Sequence, residues 1–120
     1  MYTMEQMNLK ALSMALIVEL DHVCSTSGGR AIYKNQLLRA ASSIGANLYE
    51  AKYAQSNADF IHKMEIALKE CHETEYWVEL LYNVKTIDSE VYGSLQEKCG
   101  AIRRKLIASI KTVKSKYNID

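Results

Sequence analysis

The chain has 120 residues, 48% of them apolar and 24% charged, with a formal net charge of +1. That is room for one hydrophobic core and not two, so residues 1–120 read as a single domain. The near-neutral balance removes any global electrostatic case for a nucleic acid or a membrane surface, leaving only local charge to argue from.

Proline is absent, which removes the commonest helix breaker and favours long helices. Helix one is predicted over residues 4–24. Leu9, Leu12, Leu16, Leu20 and Val23 form its core stripe. Ala11, Ala15 and Val18 fall near the opposite side, which suggests cover on both faces. Residues 25–30 form a loop around Gly28 and Gly29. Helix two is predicted over 33–53, with Leu37, Ala41, Ile44 and Leu48 as its core stripe. Its other side carries Arg39, Ser43, Ala46, Asn47 and Glu50, a set of small and polar groups that permits close approach of a neighbour. Gly45 lies mid-helix and costs about 1 kcal/mol relative to alanine, which a tight helix crossing offsets.

After a connection over 54–57, Ser56 and Asp59 have the spacing of a capping box, with Asp in the place of Glu. Helix three follows over 60–84 and has two apolar stripes. Phe60, Met64, Ala67, Cys71, Val78 and Tyr82 make the first. Ile66, Trp77, Leu80 and Val84 make the second, with Tyr76 at its edge. A helix packed on one side needs one stripe, so the second predicts a further partner, another copy of the chain. Asp88 is a good N-cap for helix four, and Glu90 places a negative charge in its first turn. That helix runs to about 116. Val91, Leu95, Cys99, Ile102, Leu106, Ile110, Val113 and Tyr117 form its single stripe. Short connections between four helices predict an all-α, up-down-up-down antiparallel four-helix bundle.

Cys24, Cys71 and Cys99 are odd in number, widely spaced and on apolar faces, which argues against a disulfide framework and a zinc site. The amphipathic start, with Glu5 and Lys10, is unlike a signal peptide. The longest apolar run, 14–18, is too short for a bilayer. A cytoplasmic protein without a membrane partner is expected.

Three chemistries are open to a bundle of this composition. Residues 98–116 hold Lys98, Arg103, Arg104, Lys105, Lys111, Lys114 and Lys116 with no acidic residue among them. Arg103, Arg104, Lys111 and Lys114 group on one flank of the apolar stripe, the kind of surface phosphates bind. A solvated face with snorkelling side chains is the plainer reading. Acidic helix three and basic helix four can also attract one another. Carboxylate-bridged metal is the second chemistry. Glu19 with His22, and Asp59 with His62, have suggestive spacing, but an up-down bundle places them at opposite ends, roughly 30 Å apart. Catalysis is the third, and neither a phosphate loop nor a nucleophile–base pair is present. No cofactor, metal site or catalytic residue is predicted. Trp77 reads as an interface anchor rather than a base-stacking platform. Arg39, Asn47 and Glu50 read as an interhelical or intersubunit polar network rather than a ligand patch.

Residues 37–51, LLRAASSIGANLYEA, and 59–81, DFIHKMEIALKECHETEYWVELL, resemble the four-helix-bundle family of the 23S rRNA intervening-sequence protein. The family pattern Arg-Ala-Ala-x-Ser-Ile-x-x-Asn-x-x-Glu is matched by Arg39, Ala40, Ala41, Ser43, Ile44, Asn47 and Glu50. Its helix-three pattern is matched by Phe60, Ile66, Ala67, Leu68, Glu73 and Glu75. Gly45 and Ala51 depart from it, standing where many members have Pro and Gly. The resemblance implies a four-helix bundle and a homo-oligomer, a pentameric ring. Because a related accessory protein of diversity-generating retroelements works with a reverse transcriptase and RNA, it also implies RNA or a nucleic-acid enzyme as a partner class. Two functions follow as expectations for a non-enzymatic oligomer. One is an RNA- or nucleoprotein-binding accessory that uses Arg103, Arg104, Lys111 and Lys114. The other is a structural assembly protein whose partner is another protein. In both, Ile66, Trp77, Leu80 and Val84, with Arg39, Ser43, Asn47 and Glu50, form the expected subunit interface.

Overall fold

The computed structural model describes residues 4–119. Four helices follow one another: α1 (Met4–Thr26), α2 (Ala31–Ala51), α3 (Asn57–Asn83) and α4 (Ser89–Lys116). Each of α1 and α3 packs on α2 and α4, and the diagonal pairs do not approach. The helices therefore stand at the corners of a square in chain order, alternately up and down, in a rod of 47 × 23 × 21 Å.

The ends are set by local chemistry. At the start of α3 the Ser56 hydroxyl accepts from the Asp59 N–H at 3.0 Å. The Asp59 carboxylate reaches back to the Gln55 N–H at 3.2 Å, one residue earlier than in a standard box. Asp88 caps α4 by accepting from the Val91 N–H at 2.9 Å. The C-termini of α3 and α4 close alike. Lys85 (φ 66°) and Asn118 (φ 55°) turn the chain through the left-handed region. The Thr86 N–H then bonds the Leu81 carbonyl, and the Ile119 N–H bonds the Lys114 carbonyl, both at 2.8 Å. These are Schellman closures. After the first, Ile87 turns into the core.

Leu9, Leu16, Leu20, Leu37, Ile44, Leu48, Met64, Leu81, Leu95, Ile102 and Leu106 are fully buried along the axis. Ala40, Ala51 and Ala67 are also buried, and such small residues let α2 and α3 approach closely. Several expected core positions move. On α3 Ile61 and Leu81 join the buried row, whereas Phe60 is half-buried and Tyr82 remains 37% exposed. The face buried between α2 and α4 is wider than a single stripe, and Tyr82 stacks on Tyr92 of α4 at its margin (centroids 4.3 Å apart). Thr74 fills the step between Cys71 and Val78. It is fully buried because its hydroxyl donates to the Glu70 carbonyl at 2.8 Å. Leu12 and Tyr117 are 37% and 42% exposed. Leu12 sits at the edge of α1's buried face, and Tyr117 lies just past the end of α4.

Candidate functional site

Three surfaces contain the residues singled out from the sequence. The first is the outer seam between α2 and α3. Tyr33 stacks on Trp77 at 6.4 Å, Arg39 binds the carboxylate of Glu73, and Lys63 binds Glu50 at 2.9 Å. These contacts fix the antiparallel register and place Asn47 level with Ile66, with Ser43 one turn further along the seam. Trp77, Arg39 and Glu50 thus lie along this seam, while Leu80 and Val84 fall at the end of α3, level with or beyond the start of α2.

Much of that seam is used within the chain. The Trp77 indole donates to Glu73 Oε2 at 3.0 Å, and Tyr76 meets its ring edge-on at 5.0 Å. That hydrogen bond, with Arg39 behind it, holds the Glu73 carboxyl below its usual range. Asn47 donates to the Ser43 carbonyl, one turn back, at 2.9 Å. Glu70 Oε1 is buried without a hydrogen bond, and Arg39 Nη1 stands 3.6 Å away. The second stripe of α3 is therefore graded. Trp77 is packed against the core, Ile66 and Leu80 are half-buried, and Val84 is 46% exposed.

The second surface is the basic side of α4. Arg103 pairs with Glu75 of α3 at 3.2 Å, Lys114 with Glu65 of α3 at 3.1 Å, and Lys98 with Glu19 of α1. The attraction between acidic α3 and basic α4 thus operates inside one chain. Arg104 and Lys111 are exposed and make no ion pair among the described residues.

The third surface is the outward face of α1. Ala11, Ala15 and Val18 are exposed there together with Met4, Met7 and Met14. The large ones are open to solvent: Met4 73%, Met7 51%, Met14 58%, Val18 63%. Beside them a groove of about 410 Å³ runs between α1 and α2, past Lys10, Met14, Ser42, Gly45, Ala46 and Tyr49. Sequence reading found half of this face. The signal for the rest was the methionine spacing at 4, 7 and 14, which continues the row through Ala11 and Val18.

A cavity of about 800 Å³ opens at one end of the bundle, among Lys52, Ser56, Phe60, Ser109, Lys116 and Tyr117. The first turn of α3 at its edge is already capped by Ser56. Among the described residues, no three His, Cys, Asp or Glu side chains gather to hold a metal ion. Burial pushes the thiols of Cys71 and Cys99 up to about 12, which makes them packing groups rather than nucleophiles. Among the described residues no helix is long and apolar enough to cross a membrane.

Four antiparallel helices around one core, with polar seams between them, define an all-α bundle protein. The 23S rRNA-intervening sequence protein family model matches residues 5–108, and the chain belongs to that family. It is also similar to a crystal structure of a protein of unknown function from the S23 ribosomal protein family of Bacteroides thetaiotaomicron. The two share 38% identity with a TM-score of 0.84, covering 90% of this chain and 99% of the other. No match was found among curated proteins.

Proposed function

We propose that this chain is a non-enzymatic, self-associating subunit of the cytoplasm whose working partner is protein, in the first place further copies of itself. The observation that carries this reading is the uneven use of its surfaces. Of the four cations that suggest phosphate binding, Arg103 and Lys114 face carboxylates of the same chain, as Lys98 does on the other flank. The apolar groups on α1 are not committed, and exposed apolar surface of this extent marks a protein contact. A pentameric ring, which the family resemblance implies, is one way in which such a contact closes.

The nucleic-acid reading rests on the two of those four cations left over, Arg104 and Lys111, which are exposed. Two phosphate contacts per chain give a salt slope of only about −1.4 for single strands. Fluorescence anisotropy with a mixed-sequence RNA in low salt separates the two functions. An assembly protein shows no binding in the low micromolar range. Micromolar binding that weakens with salt, and is lost on Arg104→Gln/Lys111→Gln, would overturn the assembly reading in favour of an RNA-binding accessory.

A further inference from the structure

We infer that the surface receiving a second copy of this chain is the outward face of α1 with the adjoining α1–α2 groove, rather than the α3 stripe. This deepens the self-association reading and rests on it.

The first reason is area. A standard interface takes roughly 800 Å² from each partner. The α3 stripe offers two large apolar residues that are well exposed, Tyr76 and Val84, because Trp77 is already packed on Tyr33. The α1 side offers Met4, Met7, Met14 and Val18, with Tyr49 lining the groove at 50% exposure and Tyr53, edge-on to Tyr49, at 63%. On side chains of about 200 Å² each, those exposed fractions supply on the order of 700 Å². One α1-centred contact therefore reaches the size of a specific interface.

The second reason is shape. Met7, Ala11, Met14 and Val18 follow one another at three- and four-residue steps and form an uncharged ridge of about 16 Å. The groove beside it has the small residues Ala41, Ser42, Gly45 and Ala46 on its α2 side. A Cβ on Gly45 would stand 3.4 Å from the Ser13 hydroxyl, an ordinary contact, so a side chain fits there and would raise this floor. Methionine is flexible enough to fill such a groove. Each copy carries both ridge and groove, which is why the occupant is another copy.

The third reason is charge. The groove has Lys10 on its α1 lip and Glu50 on its α2 lip. Lys10 lies 4.9 Å from the centre of the Tyr49 ring. The Glu50 side chain is 56% exposed even with Lys63 against it. A contact between copies places lips of opposite sign within reach of one another.

Sedimentation velocity on the full chain, with Met14→Glu, Val18→Glu and Leu80→Glu as variants, tests this. Met14 and Val18 are mostly exposed, so the first two leave the bundle helical, which circular dichroism verifies. Gly45→Met, which fills the groove from its floor, is a second probe that introduces no charge. The expected result is self-association of the unmodified chain, weakened at least tenfold by Met14→Glu and Val18→Glu, weakened by Gly45→Met, and unchanged by Leu80→Glu. Assembly that survives the α1 variants, or that Leu80→Glu weakens equally, overturns the α1 assignment and leaves the self-association reading standing. A chain that is monomeric without any substitution overturns both.

Discussion

Trp77 distinguishes an internal clamp from an interface anchor, and Trp77→Ala is the sharpest perturbation of it. Truncating a fully buried tryptophan costs about 3–5 kcal/mol. Trp77 is partly exposed, which lowers that to roughly 2 kcal/mol. Loss of the hydrogen bond to Glu73 (3.0 Å) adds about 1 kcal/mol. The Tyr33 stack at 6.4 Å is wide enough to add only a few tenths. A total of about 3 kcal/mol, set against an unfolding entropy of roughly 0.25 kcal/mol/K for a chain of this length, lowers Tm by about 12 °C. Thermal unfolding followed by circular dichroism, at matched protein concentration, measures it. The assembled mass should remain that of the unmodified chain at temperatures where the variant is folded. A Tm change under about 3 °C, or loss of assembly in a folded variant, would refute the clamp.

Trp77→Phe keeps a ring but removes the donor to Glu73. The Glu73 carboxyl lies below its usual range when folded, so its stabilising effect is present above the unfolded value and is lost as pH falls through the folded one. The phenylalanine variant should lose stability less steeply on acidification, and an NMR titration should show the Glu73 carboxyl moving up. Backbone conformation gives a pair of opposite sign. Gly29 has φ 85°, and a Cβ there would meet the Thr86 hydroxyl at 2.5 Å, so Gly29→Ala should cost about 2 kcal/mol. Lys85 turns through the same region without being glycine, so Lys85→Gly should gain about 0.5–1 kcal/mol; denaturant midpoints read both. With the Cys71 and Cys99 thiols raised to about 12 by burial, about one in ten thousand is ionised at pH 8. Ellman's reagent should label these two only as fast as the chain unfolds, and rapid labelling of both in the native protein would contradict their burial.

The fold was legible because periodicity survives any detail of packing. Leu37, Ile44 and Leu48, or Leu95, Cys99, Ile102 and Leu106, repeat at helical spacing in a chain without proline, and those rows are buried. The caps at Ser56 and Asp88 were legible because each needs only a side chain and an N–H three residues on. Thr74 was not, because its burial depends on a bond to its own helix that composition does not display. The surfaces were harder still. The basic row on α4 is visible in the sequence, but its neutralisation depends on Glu65 and Glu75 arriving from α3, a matter of register between helices. The second stripe of α3 was likewise real as a pattern. Half of its meaning lay in Tyr33, more than forty residues earlier. The methionines of α1 belong to neither of the rows read from its sequence, and the bundle turns them outward.

The mass of the unmodified chain in solution tests the self-association of this protein most directly. Sedimentation equilibrium at tens of micromolar should return a multiple of the 13.6 kDa subunit, five-fold if the family's ring is formed. A mass of 13.6 kDa that does not change with concentration would contradict it.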